Sequence, residues 1–183
     1  MRTRFHGWLS LGFLWSFMLV AAGQDKPVEL RYKPLELTES LFAPSSMLAQ
    51  ERDDYASNLA RVAIEKANAD QSDESLFEAR KLLALALQLS PRNRTANVAN
   101  HQMGRGILPE RKEADYSDAV FARLLLTRAK LLKESGEPVD ALLAQCFTEV
   151  AASLDPRNED AVYRFEMLRL DGGEVDWDHL MGG

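Results

Sequence analysis

Hydrophobic positions along this chain fall into helical stripes, and the breaks between stripes carry helix stop and start signals. From Ser46 onward, Leu48, Tyr55, Leu59, Val62, Ala63 and Ala67 recur near one face of an amphipathic helix, with the Ser45-Ser46 pair as candidate cap. Asn68 to Asp73 breaks that pattern. Ser72 and Asp73 can cap a second helix carrying Leu76, Ala79, Leu82, Leu83, Ala86, Leu87 and Leu89. Ala84 and Leu85 extend its apolar surface beyond one face, as in a helix sandwiched between neighbours. Pro91 closes it, Asn93 caps a short third helix through Val98 and Met103, and Gly104 stops that one.

The plan then repeats. After a charged stretch with Gly106 and Pro109, Ala122, Leu125, Leu126, Ala129 and Leu132 form a stripe ended by Ser135-Gly136, and Pro138 suits the first turn of the next helix. That helix carries Ala141, Leu142, Leu143, Phe147, Val150, Ala151 and Leu154 up to Pro156, where Asn158 caps a last helix with Ala161, Val162, Phe165 and Leu168, ending at Gly172-Gly173. The corner Leu89-Ser90-Pro91-Arg92-Asn93 returns as Leu154-Asp155-Pro156-Arg157-Asn158, 65 residues on (Pro91 to Pro156). At the same offset Leu59 meets Leu124, Ala67 meets Leu132, Ala79 meets Ala144 and Ala86 meets Ala151. Each half therefore reads as helix, helix, proline corner, helix. Hairpins duplicated in this way bury their faces on one another.

The first residues lie outside this plan. Arg2 and Arg4 precede an apolar run from Trp8 to Ala22, and Ala21-Ala22-Gly23 offers small residues at a cleavage point, so residues 1–23 read as a signal peptide. An uncleaved membrane anchor is the alternative, although the run is shorter than the roughly 20 residues a spanning helix needs. Residues 24–45 hold Pro27, Pro34 and Pro44, with Val28, Leu30 and Tyr32 alternating at strand period. They form an arm lying on the helices, a strand added to another protein's sheet, or a linker. The remaining divisions are a first helical unit at 46–104, a loop at 105–116, a second unit at 117–173 and an acidic tail at 174–183.

The formal net charge is −6, and losing Arg2 and Arg4 makes the mature chain more acidic still. Such a balance disfavours nucleic acid, whose binding needs a positive face. Cys146 is the single cysteine, so no internal disulfide framework exists, and its neighbours Leu142, Leu143, Phe147 and Val150 predict a buried, inert thiol.

Ala67, Ala79, Ala86 and Pro91 stand at the spacing of the small residues and closing proline of the tetratricopeptide repeat, a helical hairpin of about 34 residues. Ala144, Ala151 and Pro156 repeat that spacing, and Ala129, Gly136 and Ala141 fit a register three residues earlier. Residues 55–172 thus resemble that family. The resemblance implies an all-α fold of antiparallel hairpins stacked as a short solenoid, with a concave surface that receives a peptide or partner protein. On the register of Gly136 and Ala141, Arg123, Leu126, Lys130 and Lys133 would look into this groove, and three cations there suit an acidic peptide or a C-terminal carboxylate.

Catalytic signatures are not evident: the chain has no Gly-rich phosphate loop, no paired-histidine metal motif and no Gly-x-Ser-x-Gly turn. The tail holds Asp171, Glu174, Asp176, Asp178 and His179, which could make a divalent-metal site or a small secreted enzyme's centre, but a tail whose Val175, Trp177 and Leu180 dock on the last helix is the simpler expectation. Asn93-Arg94-Thr95 also matches the N-glycosylation acceptor pattern. The expectation is an exported, periplasmic or secreted, non-catalytic interaction module or assembly subunit of the cell envelope. It needs no cofactor or metal, its partner is another protein or peptide, and no membrane span remains after signal cleavage.

Overall fold

The computed structural model describes residues 30–37, 39–111, 113 and 116–182, so the signal segment and the start of the arm lie outside the described residues. Within them the chain is all-α, with helices α1 (Ala49–Ala69), α2 (Asp73–Leu89), α3 (Arg94–Gly104), α4 (Asp118–Ser135), α5 (Pro138–Leu154), α6 (Glu159–Leu170) and the single turn α7 (Trp177–Leu180). The duplication is visible in these bounds. α2 and α5 start and stop 65 residues apart (Asp73 to Pro138, Leu89 to Leu154), and α3 and α6 start at the same offset (Arg94 to Glu159).

Local chemistry sets most of the boundaries. The side chains of Ser72, Asn93, Ser117 and Asn158 each accept from the backbone N–H three residues on, filling an orphan donor of the first turn. Pro138 opens α5, where its missing N–H costs nothing, and Gly136 closes α4 in the left-handed conformation at φ 75°. The start of α1 departs from expectation. Leu48 is its N-cap with no side-chain bond and is 74% exposed, whereas Ser46 donates its backbone N–H to Asp140 Oδ1 at 2.9 Å. Val98 of α3 is likewise exposed.

α1 packs along α2, and α4 along α5. Leu76, Ala79, Leu82 to Leu87 and Leu89 are all buried, which makes α2 the sandwiched helix its composition predicts. The hairpins meet through α1 and α4, which run antiparallel: Glu51 pairs with Arg128 at 2.9 Å, the Tyr55 hydroxyl donates to Leu124 O at 3.4 Å, and Arg61 pairs with Asp118 at 3.3 Å. Between these ties the Tyr55 ring stacks on Phe147 of α5 at 5.2 Å and tilts against Phe121 at 6.1 Å.

The third helices lie on the outer sides. Asp53 and Ser57 of α1 receive hydrogen bonds from Asn93 at the start of α3, and on a helix they point away from Glu51 and Tyr55, which face the second hairpin. On α4, Phe121 and Arg128 face α1 while Leu126, Ala129 and Lys133 face α6. A stack in chain order would put α3 between the hairpins and keep their first helices parallel; here α1 meets α4 directly and head to tail.

Both chain ends run onto the first unit. Tyr32 donates to Asn100 Oδ1 at 2.8 Å, and Leu35 exchanges bonds with the same amide at 2.9 and 3.0 Å. Gly104 gives the arm a close approach there, since a Cβ would lie 3.0 Å from Pro34 Cβ. The buried Gln88 accepts the Leu41 N–H at 2.9 Å, donates to Leu180 O at 3.2 Å, and offers its own carbonyl to the Ser40 hydroxyl. The tail therefore does not dock on α6, as its apolar residues suggested. It crosses α5 to α2, where Glu149 accepts from Trp177 Nε1 at 2.7 Å and from Lys81 at 3.1 Å, with the Lys81 ammonium 4.7 Å from the Trp177 ring centroid.

Two outcomes follow from buried polar groups. Asn93 is 3% exposed and bonds Asp53 and Ser57 besides capping α3, whereas its duplicate Asn158 is half-buried and serves as a cap. Asn93→Ala should therefore lower unfolding free energy by about 2 to 3 kcal/mol and Asn158→Ala by about 1 kcal/mol, measured by urea denaturation. Burial pushes the Asp140 carboxyl up, but hydrogen bonds from Ser46 and Ser135 and the charge of Arg128 outweigh it and hold the group below the usual carboxylate range. Its carboxylate thus contributes stability above that range that is lost as pH falls through the depressed folded value. Urea midpoints measured from about pH 7 down to about pH 3 should drop less for Asp140→Asn than for the parent chain.

Candidate functional site

A furrow of about 620 Å³ runs between α4 and α6 over the flank of α5. Leu126 and Ala129 form its floor with Thr148 of α5, whose hydroxyl is bonded to Ala144 O at 2.7 Å. Lys130 and Lys133 stand on the α4 side. Tyr163, Arg164, Met167 and Leu168 of α6 stand opposite, with Asp171 at the end. Arg164 is tied to Asp160 at 2.8 Å, whereas Lys130 and Lys133 form no ion pair among the described residues. The helices that wall the furrow also carry much of the exposed apolar surface. Val120, Leu124 and Leu131 on α4 are 38%, 40% and 49% exposed, and Tyr163, Met167 and Leu170 on α6 are 65%, 39% and 76% exposed. Of these, Tyr163 and Met167 line the furrow, while Leu124 faces the separate cleft at Tyr55 and Tyr116.

Of the four residues expected in a groove, Leu126, Lys130 and Lys133 line this one and Arg123 does not. Arg123 is exposed on the same helix, its Nε donating to Ala119 O at 3.2 Å. The α6 wall escaped sequence reasoning altogether. The signal was present in Tyr163 and Met167, which stand four residues apart and face away from Ala161, the one buried residue of α6.

The other candidates are not brought together. Asp176 caps α7 through the His179 N–H at 3.0 Å, His101 and His179 are exposed and lie outside every ion pair among the described residues, and no three His, Cys, Asp or Glu side chains there converge as metal ligands. The Lys81, Glu149 and Trp177 cluster is mutually satisfied and fastens the tail. The glycosylation pattern falls on the buried Asn93, whose amide is fully engaged, so this nitrogen is inaccessible in the folded chain. No helix of the described residues is long and apolar enough to cross a membrane.

Comparison with family models, with curated proteins and with solved structures finds no match to this chain. The furrow is therefore read from its own chemistry.

Burial raises the Tyr55 hydroxyl to about 12 and pushes the Cys146 thiol well above its ordinary range, with the nearby Glu149 charge adding to the latter. A thiolate is the reactive form, so Cys146 should resist a thiol-specific reagent in the native chain and react fully after unfolding, as read by mass spectrometry. Labelling of the native chain at the rate of a free thiol would contradict the packing of α5.

Proposed function

We propose that this chain is an exported, non-catalytic interaction module of the cell envelope that docks a segment of another protein in the furrow between α4 and α6. The observation that carries the reading is the coincidence, in one open furrow, of two lysines that form no ion pair among the described residues and the exposed Tyr163 and Met167 of α6. On an acidic chain, local positive charge beside apolar walls favours an acidic segment that also buries hydrophobic side chains. Export rests on the basic, apolar and small-residue sequence at the N-terminus.

The helical hairpins and proline corners support a tetratricopeptide-like ancestry for each unit, with residues 30–45 as an arm on the first. The antiparallel meeting of α1 and α4 favours a paired arrangement about a local two-fold over a solenoid stacked in chain order. On this reading the docking surface is the outer furrow of the second unit.

The test is a pull-down with the mature chain from its native envelope fraction, beside Lys130→Glu, Lys133→Glu and Arg123→Glu. Both lysine reversals should deplete the same partner by about tenfold or more, while Arg123→Glu, outside the furrow, retains it. Retention of all partners by both lysine variants would falsify the docking role.

A further inference from the structure

The two outer faces of the molecule carry opposite charge. From Ser90 to Pro109, the stretch that holds α3, the chain has three arginines and no acid. Its duplicate from Asp155 to Glu174, 65 residues on, holds α6 and has six acids against three arginines. The formal balance is thus +3 on one face and −3 on the other, in a chain whose total is −6. On α3, Arg94, Val98, His101 and the C-cap Arg105 follow at steps of four, three and four, so they share one side, opposite the buried Ala96, Ala99 and Met103. All four are exposed, and both arginines lie outside every ion pair among the described residues. Ile107, exposed just beyond the turn at Gly106, widens the apolar part of this face.

The duplicate positions on α6, counted from Arg94 to Glu159, are Glu159, Tyr163, Glu166 and Leu170. They too share the side opposite the buried Ala161, and all four are exposed. Where the α3 stripe has arginine or histidine, the α6 stripe has an acid or an apolar side chain. Glu159 forms no ion pair among the described residues, and Glu166 stands 3.7 Å from Arg169 with both side chains about half exposed. Arg164, beside the stripe, is held by Asp160 at 2.8 Å. Because α1 meets α4 in the middle of the molecule, α3 and α6 lie on its two outer sides, and neither stripe can meet the other within one copy.

We propose that copies of this chain associate head to tail, the α3 stripe of one copy lying on the α6 stripe of the next. The inference goes beyond the furrow reading and does not rest on it. Laid side by side in the same direction, the stripes set Arg94 against Glu159, Val98 against Tyr163 and His101 against Glu166. Laid in opposite directions, they set Arg105 against Glu159 and bring Arg94 to the exposed Asp171. Either way unlike charges meet. Two α3 stripes would instead bring arginines together, and two α6 stripes have no cation between them, so charge selects the unlike pair. Val98 and Ile107 on one face and Tyr163 and Leu170 on the other supply the apolar burial that solvated ion pairs alone do not. A contact between unlike faces is heterologous: each copy added leaves one free α3 and one free α6, and the assembly extends in a line.

Sedimentation velocity of the mature chain tests this. The parent chain should associate progressively between about 10 µM and about 1 mM, the weak range of a small interface, and about tenfold less tightly when ionic strength rises from about 0.1 M to about 1 M. Arg94→Glu with Arg105→Glu, and separately Glu159→Arg with Glu166→Arg, should each abolish association, while Arg123→Glu, outside both stripes, retains it. The reversed side chains are exposed, and circular dichroism confirms that each variant is folded. Mixed in equal amounts, the two double variants should associate again, because the first keeps its native α6 and the second its native α3. A parent chain that stays monomeric over this range, association that survives either double reversal, or a mixture no more associated than its components overturns the inference. Equal loss with Arg123→Glu does so too, since net charge and not the α3 face would then be in control. Any of these results leaves the furrow reading as it stands.

Discussion

The Tyr55 ring decides how the two units face each other. It stacks on Phe147 and tilts on Phe121 at the middle of the α1–α4 crossing, a contact that buries both phenylalanines and half-buries Tyr55 itself. The ion pairs on either side, Glu51 with Arg128 and Arg61 with Asp118, are partly solvated and contribute little by comparison. Their role is direction. A parallel crossing would leave Glu51 near the acidic start of α4 and Arg61 near its basic end, so charge opposes the orientation that aromatic packing alone would tolerate. With α1 and α4 joined head to tail, the faces that remain for α3 and α6 are the two outer ones, and each unit acquires a furrow at the far end of the molecule.

The copies then specialise through their polar groups. In the first unit Asn93 ties the proline corner to α1, Asn100 holds the segment around Leu35, and Gln88 binds both the approach to α1 and the tail. The positions 65 residues on from Asn100 and Gln88 (Phe165 and Ser153) have neither the amide nor its reach. The result is a first unit clasped by both chain ends. The second unit ends in an α6 that buries Ala161 alone, where α3 buries Ala96, Ala99 and Met103. One duplicate is committed to the chain's own stability, and the other keeps its surface.

What could be read from the sequence was whatever a few neighbouring residues determine. Caps at Ser72, Asn93 and Asn158, the prolines after α2 and α5, the left-handed Gly136 and the buried stripe of α2 all follow from local backbone needs or from periodicity within one helix. Leu48 departs from its stripe because periodicity predicts a face but not where the partner helix stops covering it. The furrow was half legible for the same reason. Leu126, Lys130 and Lys133 share a side of α4, but Arg123 falls outside because the rotation of α4 is set by Tyr55 and Arg128, whose partners are distant in sequence. Likewise the tail's apolar residues announced that it docks, while its course over α5 to α2 depends on Gln88, Lys81 and Glu149, which no local pattern connects to it.

The same comparison of duplicates bears on dynamics. α6 buries Ala161 fully and Phe165 in part against α5, so it has fewer apolar contacts to lose than α3, which is held by both α1 and α2. A ligand in the α4–α6 furrow adds contacts to Tyr163 and Met167 and thus stabilises α6 before it stabilises anything else. In the first unit Pro109 is buried and its carbonyl accepts from Asn68 of α1, while Val98 of α3 stays exposed. The physical difference between the two units is therefore in how their third helices are held: α3 packs on both α1 and α2, whereas α6 packs chiefly on α5.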